Sequence, residues 1–169
     1  MASHELSPPA TDADWRDFHD IREATLWLAR GRTGYNRRHE DDFEVPANQP
    51  LLFKADGRAV GCLRLDGRED AGVVRLVAVL GSEQGRGFGR AMALRCEEVA
   101  RERGMRVLYL NAAPEALGFY EKLGWERHVW DAEEQAGIAR DCIQMRKALG
   151  ERRAGPGDGT AAGGPAAKR

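Results

Sequence analysis

Short apolar runs alternate with amphipathic stretches along this chain, and each pattern predicts a different element. Residues 14–29 carry aromatic and aliphatic side chains at helical spacing with charged residues between them, which predicts an amphipathic helix. Two apolar runs, Leu51–Ala55 and Arg58–Leu65, flank an Asp-Gly pair and predict a β-hairpin. The run Val73–Leu80 is rich in β-branched residues and broken only by Arg75, so it predicts a largely buried strand.

A glycine-rich turn follows that strand directly. Gly85, Gly87 and Gly89 stand within five residues, and glycine allows positive φ and lets a ligand approach bare amides. A helix with an apolar stripe is predicted after the turn, ending at Gly104. Strand, amide-rich turn and helix N-terminus together suit phosphate groups, although a tight connection without a ligand is the alternative. The turn has neither the Gly-Lys-Ser/Thr of a P-loop nor the glycine spacing of a dinucleotide fingerprint.

A second informative segment spans residues 105–125. Arg106–Leu110 predicts a strand with Asn111 at its end, and Pro114 is well placed in the first turn of the next helix. That helix carries Phe119 and Tyr120 and closes at Gly124. Two further strands are predicted towards the end of the chain, over residues 126–131 and 139–147, with a loop over 131–137.

Composition and the chain ends place these elements in one domain. The chain has 169 residues, 42% of them hydrophobic and 31% charged, as expected of one globular domain with a sizeable core. We expect residues 1–12 to be a loose arm or a poor first strand and residues 13–149 to form the domain. Residues 150–169 are rich in Gly, Ala and Pro and lack bulky apolar side chains, which predicts a disordered tail.

Charge and cysteine content exclude several classes of partner. A net charge of −1 gives no electrostatic reason to expect nucleic acid or an anionic membrane as partner. No apolar run is long enough to cross a bilayer, and no signal peptide opens the chain. Cys62, Cys96 and Cys142 form neither a metal spacing nor a disulfide framework, so we expect no metal and a reducing, cytoplasmic setting.

Both informative segments resemble the GNAT superfamily of N-acetyltransferases. Gln84, Gly87 and Gly89 match the family's Gln/Arg-x-x-Gly-x-Gly/Ala loop, and Phe119–Trp125 reads as its Phe-Tyr-Glu-Lys-Leu-Gly-Phe/Trp motif. The two motifs stand in the family's order and cover roughly residues 73–130. The resemblance implies an α/β fold: a mixed, mostly antiparallel sheet with a splayed parallel pair in the middle and helices on both faces.

The resemblance also implies acetyl-CoA as acyl donor and a set of residues that bind it. The backbones of two valines on the splayed strand would pair with the pantetheine arm, an asparagine would reach it from the other side, and the turn amides would hold the pyrophosphate. The implied cofactor-binding residues are Val77, Val79, Gln84, Gly85, Arg86, Gly87, Phe88, Gly89, Arg90 and Asn111.

Catalysis is assigned to a single residue by the resemblance. Tyr120 matches the tyrosine that donates a proton to the CoA sulfur, with a core packing role as the alternative. Many relatives carry a glutamate on the strand equivalent to Val73–Leu80, and this chain has none there. The general base is therefore left open among the flanking carboxylates, a water relay and an amine that arrives deprotonated: the flanking residues are Glu69, Asp70 and Glu83.

Acceptor selection is expected from the variable segments 30–48 and 131–137. Their carboxylates suggest attraction of a cationic amine, or else a solvated charged loop; they are Glu40, Asp41, Asp42, Asp131, Glu133 and Glu134. Tyr35, His39 and Phe43 are candidates for lining the pocket. The predicted function is acetyl transfer from acetyl-CoA to a small-molecule or peptide amine, and a homodimer is compatible with the chain. The alternatives are a catalytically silent acyl-CoA-binding module and a nucleotide-binding regulatory domain.

Overall fold

The computed structural model of this chain describes residues 3–150. Residues 151–169 of the predicted tail lie outside the described residues. Seven strands are present within residues 3–150: β1 His4–Ser7, β2 Asn48–Ala55, β3 Arg58–Arg68, β4 Ala71–Val79, β5 Val107–Ala112, β6 Glu126–Arg127 and β7 Ile143–Ala148. Four α-helices accompany them in the same range: α1 Asp12–Arg22, α2 Glu40–Phe43, α3 Phe88–Glu102 and α4 Leu117–Lys122. None of these helices is long and apolar enough to cross a membrane.

The strands form one mixed sheet in the order β1-β2-β3-β4-β5-β7-β6. Every neighbouring pair is antiparallel except β4 and β5, which run parallel. The predicted hairpin is confirmed, with β2 and β3 paired around the turn at Asp56 and Gly57. The implied α/β fold, mostly antiparallel with one parallel pair, is confirmed as well.

The parallel pair separates soon after it begins. β4 and β5 are paired at only three positions, from Ala71 opposite Val107 to Val73 opposite Tyr109. Beyond Val73, β4 carries a bulge against β3 in which Leu76 has a positive φ of 53°. A bulge bends its strand and strengthens the local twist, so it turns the end of β4 away from β5.

Helices cover both faces of the sheet. On one face, Phe18 and Ile21 of α1 pack against Leu52, Cys62 and Ala78. On the other face, Met92 and Cys96 of α3 belong to a larger apolar cluster. The strand residues of this cluster include Leu51, Phe53, Leu63 and Leu65. The alternation of Leu51, Leu52 and Phe53 between the two clusters follows from the two-residue period of a strand.

The N-terminal segment forms a strand, so the loose-arm interpretation is wrong and the first-strand alternative describes it. Residues His4–Ser7 pair antiparallel with β2, and Leu6 reaches the core. The segment carries too few apolar residues to show a pattern by itself, but β2 offers it a free edge. Backbone hydrogen bonding to that edge does not depend on side-chain pattern.

Three element boundaries also differ from the sequence prediction. α1 ends at Arg22, and the chain continues as a π-helical turn over Glu23–Trp27 and a 3₁₀ turn that stops at Gly31. β6 is only two residues long, and β7 begins at Ile143 because short 3₁₀ turns occupy residues 132–134 and 137–139. Boundaries depend on tertiary pairing and are the least specified part of a sequence pattern.

Gly72 offers a test of the packing at the point where β4 and β5 meet. A Cβ at this position would lie 2.6 Å from Met105 Sδ and 3.0 Å from Leu108 Cδ2. We expect Gly72→Ala to lower the free energy of unfolding by about 1–3 kcal/mol, as overpacking does in a buried core. Gly81→Ala is the matched control, since a Cβ there meets nothing within 4 Å. Urea denaturation measures both, and equal midpoints would contradict the tight packing.

Candidate active site

Two cavities meet in the gap between the separated ends of β4 and β5. The turn cavity, of about 550 Å³, lies beside the glycine-rich turn and α3. The arginine cavity, of about 480 Å³, lies beside residues 22–42. Eight residues line both cavities: Leu26, Arg30, Val74, Val77, Leu110, Ala113, Ala116 and Tyr120. Tyr120 is thus one of the residues that border the boundary between the two cavities.

The glycine-rich turn adopts the backbone that its sequence predicts. Gly85 and Gly87 have φ of +79° and +81°, and Gly87 is the N-cap of α3. Side chains other than glycine are strained in that region, so these two positions require glycine. The first N–H groups of α3 have no partner within the helix, and they lie where the turn borders the cavity.

Polar contacts hold the turn against the sheet. Gln84 donates its side-chain amide to the carbonyl oxygen of Val79 at 3.2 Å. Glu83, 7% exposed, pairs with Arg58 and with Arg86, whose NH1 lies 2.8 Å from a carboxylate oxygen. These bonds keep the turn and the end of β4 in one fixed relation.

Most of the predicted cofactor-binding residues line the turn cavity. They are Val77, Val79, Gln84, Gly85, Gly87, Phe88, Gly89 and Arg90. Arg86 stands behind the turn instead, paired with Glu83 and lying 5.4 Å from the centre of the Phe88 ring. Beyond Val73, β4 has no pairing with β5, so its backbone faces the gap as an open strand edge.

Asn111 lines the arginine cavity and not the turn cavity. Its side-chain oxygen accepts a hydrogen bond at 3.1 Å from Gln144, a buried residue of β7. Gln144 in turn bonds the backbone of Trp130 and Asp131. The structure thus places Asn111 on the far side of the gap from the glycine-rich turn, and its predicted contact with pantetheine stays a prediction.

Tyr120 lies on α4 with its ring held by two aromatic neighbours. The rings of Phe119 and Trp125 meet it edge-on, with centroids 5.1 and 5.8 Å away. The side chain is 9% exposed, and this burial raises the pKa of Tyr120 to about 12. Its hydroxyl takes part in none of the hydrogen bonds formed among residues 3–150. The phenol is therefore protonated at neutral pH and available to donate into either cavity.

Trp125 is a site residue that the sequence prediction did not assign. It lines the turn cavity, is 6% exposed, and its indole nitrogen is buried without a hydrogen-bond partner in the described part of the chain. An unpaired buried N–H costs free energy, so Trp125 holds a donor whose partner the described residues do not supply. Its place at the end of the Phe119–Trp125 motif was the available signal.

The arginine cavity is bordered by a buried chain of ion pairs. Asp42 accepts from Arg22 at 2.9 Å and from Arg64 at 3.2 Å. Arg64 also pairs with Asp66 at 2.7 Å, and Arg75 joins Asp66 to Glu134. Two of the carboxylates expected to attract a cationic amine, Asp42 and Glu134, are thus already paired with arginines. That interpretation of the acidic residues is wrong for these two positions.

The variable segments contribute unequally to this cavity. Tyr35 and His39 line it as predicted, whereas Phe43 packs against Trp15 and lines neither cavity. No residue of 131–137 lines either cavity, and Ala139 and Cys142 border it in their place. The arginines of the wall were missed because an arginine in a helix or loop resembles ordinary surface charge; they are Arg22, Arg30, Arg32, Arg64 and Arg75.

No carboxylate near β4 is placed as an evident base. Glu69 and Asp70 lie in the turn before β4 and line neither cavity, while Glu83 lines the turn cavity in its ion pairs. In residues 3–150 no group of three or more His, Cys, Asp or Glu side chains could hold a metal ion. The general base therefore stays open.

His19, which is buried, and Tyr35, which is half-buried, form a pair beside the arginine cavity. His19 Nδ1 lies 2.6 Å from the Tyr35 hydroxyl, and its ring stacks on Trp15. Burial, together with the charge of Arg22, lowers the pKa of His19 to about 4. Burial raises the pKa of Tyr35 to about 12. At neutral pH both groups are uncharged, so His19 positions Tyr35 and adds no charge to the cavity wall.

This lowered pKa predicts a loss of stability in mild acid. His19 is neutral when folded and takes up a proton when unfolded, so the free energy of unfolding falls as pH drops from 6.5 towards 4. We expect His19→Gln to show a shallower decline of stability over this window. His39→Gln, at an exposed histidine, is the matched control. Melting temperatures across the window measure the effect, and parallel pH profiles for wild type and His19→Gln would contradict it.

Comparisons with known proteins agree with this geometry. Mycothiol acetyltransferase of Geodermatophilus obscurus is 35% identical over 101 residues, which are 59% of this chain and 29% of that protein, so the chain spans under a third of that relative. The ribosomal-protein-S18-alanine N-acetyltransferase of Escherichia coli superposes with a TM-score of 0.66 at 15% identity, covering 93% of this chain and 98% of that one.

A PaiA N-acetyltransferase of Thermoplasma acidophilum, solved in complex with coenzyme A, superposes with a TM-score of 0.64 at 14% identity. The superposition covers 86% of this chain and 99% of the other. Structural likeness at such identities shows the fold alone. The family model described as "Acetyltransferase (GNAT) family" matches residues 10–125, more than half of the sequence. The chain therefore belongs to the GNAT acetyltransferase family.

Proposed function

We propose that the chain is an acetyl-CoA-dependent N-acetyltransferase that joins donor and acceptor in one ternary complex. The observation that carries this proposal is the meeting of two cavities at Tyr120, between the separated strands β4 and β5. One cavity has an amide-rich turn at its end and the other has polar and charged walls. This arrangement suits a thioester on one side and a nucleophile on the other.

The turn cavity fits the donor by the chemistry of its walls. The turn from Gln84 to Arg90 offers backbone N–H groups and the positive end of α3, which suit the pyrophosphate. The open edge of β4 at Val77 and Val79 suits the amide groups of pantetheine, which can pair with it as an added strand would. Trp125 lines the same cavity and adds its indole ring to the wall.

The chemistry needs little from the protein beyond position and one proton. The neutral acceptor nitrogen attacks the thioester carbonyl, a C–N bond forms, and the C–S bond breaks with its electron pair on sulfur. Tyr120 is protonated at neutral pH, as any phenol of ordinary or raised pKa is, so it can donate to that sulfur. The proton lost by the nitrogen goes to solvent, and the Tyr120 phenolate regains a proton from solvent after CoA forms, which completes the cycle. Holding both reactants in adjoining cavities supplies the remaining acceleration by proximity.

Cofactor binding is tested by thermal stabilisation. We expect CoA to raise the melting temperature because it binds only the folded state, and ATP and NAD to raise it much less. Gly89→Glu should abolish the effect, since it adds bulk and negative charge at the N-terminus of α3. Leu94→Glu adds the same carboxylate to an exposed position of α3 outside both cavities, and should keep the effect. Equal stabilisation by ATP would favour a nucleotide-binding domain instead.

Tyr120→Phe separates an enzyme from a silent binding module. The ring and its packing stay, but the donated proton is lost, so kcat should fall by about 10²–10⁴ with CoA affinity nearly unchanged. Tyr109→Phe, on β5 and outside both cavities, is the matched control and should keep full activity. Full activity of Tyr120→Phe would remove Tyr120 from the mechanism. Clear CoA binding without turnover of any amine by the native chain would identify the silent module.

A further inference from the structure

The wall of the arginine cavity carries more positive than negative charge. Five arginines border it, against two aspartates, Asp41 and Asp42. The arginines fall into two groups, those that ion pairs neutralise and those that they do not. The charge that the second group leaves on the wall bears on which acceptor the cavity can hold.

Arg64 and Arg75 belong to the neutralised group. Arg64 lies between Asp42 and Asp66, and it donates to the second from both Nε and NH2. Arg75 donates from Nε to Asp66 and from NH1 and NH2 to Glu134. Their guanidinium groups are saturated by carboxylates, so they offer little to a ligand.

Arg30 and Arg32 belong to the other group. Neither has a carboxylate within 4.0 Å among residues 3–150. Arg32 has one weak contact to protein, NH1 to the carbonyl of Leu26 at 3.5 Å, and Arg30 is exposed. Both lie just after the π-helical turn Glu23–Trp27, and both line the cavity.

Arg22 adds an under-bonded cation behind them. It is 2% exposed and its one carboxylate partner, Asp42, is shared with Arg64. Its Nε and NH2 are buried and make no hydrogen bond within the described residues. A buried guanidinium with unmet donors is costly unless a charge of opposite sign lies nearby. The protein itself does not supply that charge in full.

We propose, resting on the acetyltransferase function above, that the acceptor is an acidic amine. Its amino group faces Tyr120 at the junction of the cavities, and its anionic oxygen group, a carboxylate or a phosphate, binds Arg32 and Arg30. Arg32 lines only the arginine cavity, whereas Arg30 lines both, so the anionic group lies on the side away from the glycine-rich turn. Charge-assisted bonds from guanidinium to carboxylate or phosphate are short and directional, and they give a specific orientation.

A chain-length series of amines tests this acceptor class. Straight ω-amino acids, their primary amides and the corresponding ω-aminoalkyl phosphates are each acetylated under the same conditions. We expect kcat/KM for the best acid or phosphate to exceed that of its matched neutral amide by about 10–100-fold. Comparing the acid and phosphate series identifies which anionic group the cavity prefers.

Two variants locate the effect without disturbing the core. Arg32→Gln should bring the ratio of kcat/KM for the acid to kcat/KM for its amide close to one. The ratio falls because activity on the acid is lost while activity on the amide is unchanged. Arg30→Gln should lower the same ratio, and the KM for acetyl-CoA measured beside it shows whether Arg30 also serves the donor. Arg16→Gln removes an exposed arginine outside both cavities and should leave the ratio unchanged.

The outcomes separate this inference from the proposed function. Efficient turnover of amides and acids alike would overturn the acidic acceptor and leave the acetyltransferase standing. If no amine is turned over, the proposed acetyltransferase function fails. The anion site is then tested separately, by whether unreactive straight-chain carboxylates raise the melting temperature of the protein in a saturable way. Stabilisation lost in Arg32→Gln and kept in Arg16→Gln would support that site. An equal rise in melting temperature in the wild type, Arg32→Gln and Arg16→Gln would overturn the anion site.

Discussion

Hydrogen bonding between β4 and β5 stops after three residue pairs, and the two cavities of the site lie in the opening that follows. A fully paired sheet would close this space and satisfy every backbone group along both strands. Here the bulge around Leu76 turns β4 towards the glycine-rich turn and leaves its edge open. The same bend brings the end of β4 within reach of Gln84. Separation of two parallel strands thus provides both a strand edge and a passage between the faces.

Buried ion pairs hold the arginine-cavity side of this opening. The chain from Asp42 through Arg64, Asp66 and Arg75 to Glu134 links α2, β3 and β4 to the loop before β7. Ion pairs of this kind gain little net stability over apolar packing, but breaking one leaves a charge without a partner. Their value here is positional, because they fix irregular segments that have few apolar contacts of their own.

The two sides of the site differ in how their chemistry is encoded. Beside the turn cavity the distinctive groups are backbone: turn amides, a helix N-terminus and an open strand edge. Such groups demand glycine at Gly85 and Gly87 and little else, so a short motif describes them. The wall of the arginine cavity is made largely of side chains from α1, the π-helical turn, the segment 28–42 and three strands, and no single stretch of sequence contains it.

The sequence by itself determined the hairpin and the strand–turn–helix unit, because local periodicity and glycine positions specify these elements, whereas Tyr120 was singled out only by its place in the family motif. It also indicated the family through two short motifs. Tertiary structure alone decided that His4–Ser7 pairs as an edge strand, that Asp42 and Glu134 are consumed by arginines, and that Asn111 bonds Gln144. Each of these depends on a partner distant in the chain, 33 residues away for Asn111, and a charge pattern does not show which carboxylate meets which guanidinium. The excess positive charge of the arginine cavity became visible only once those pairings were known.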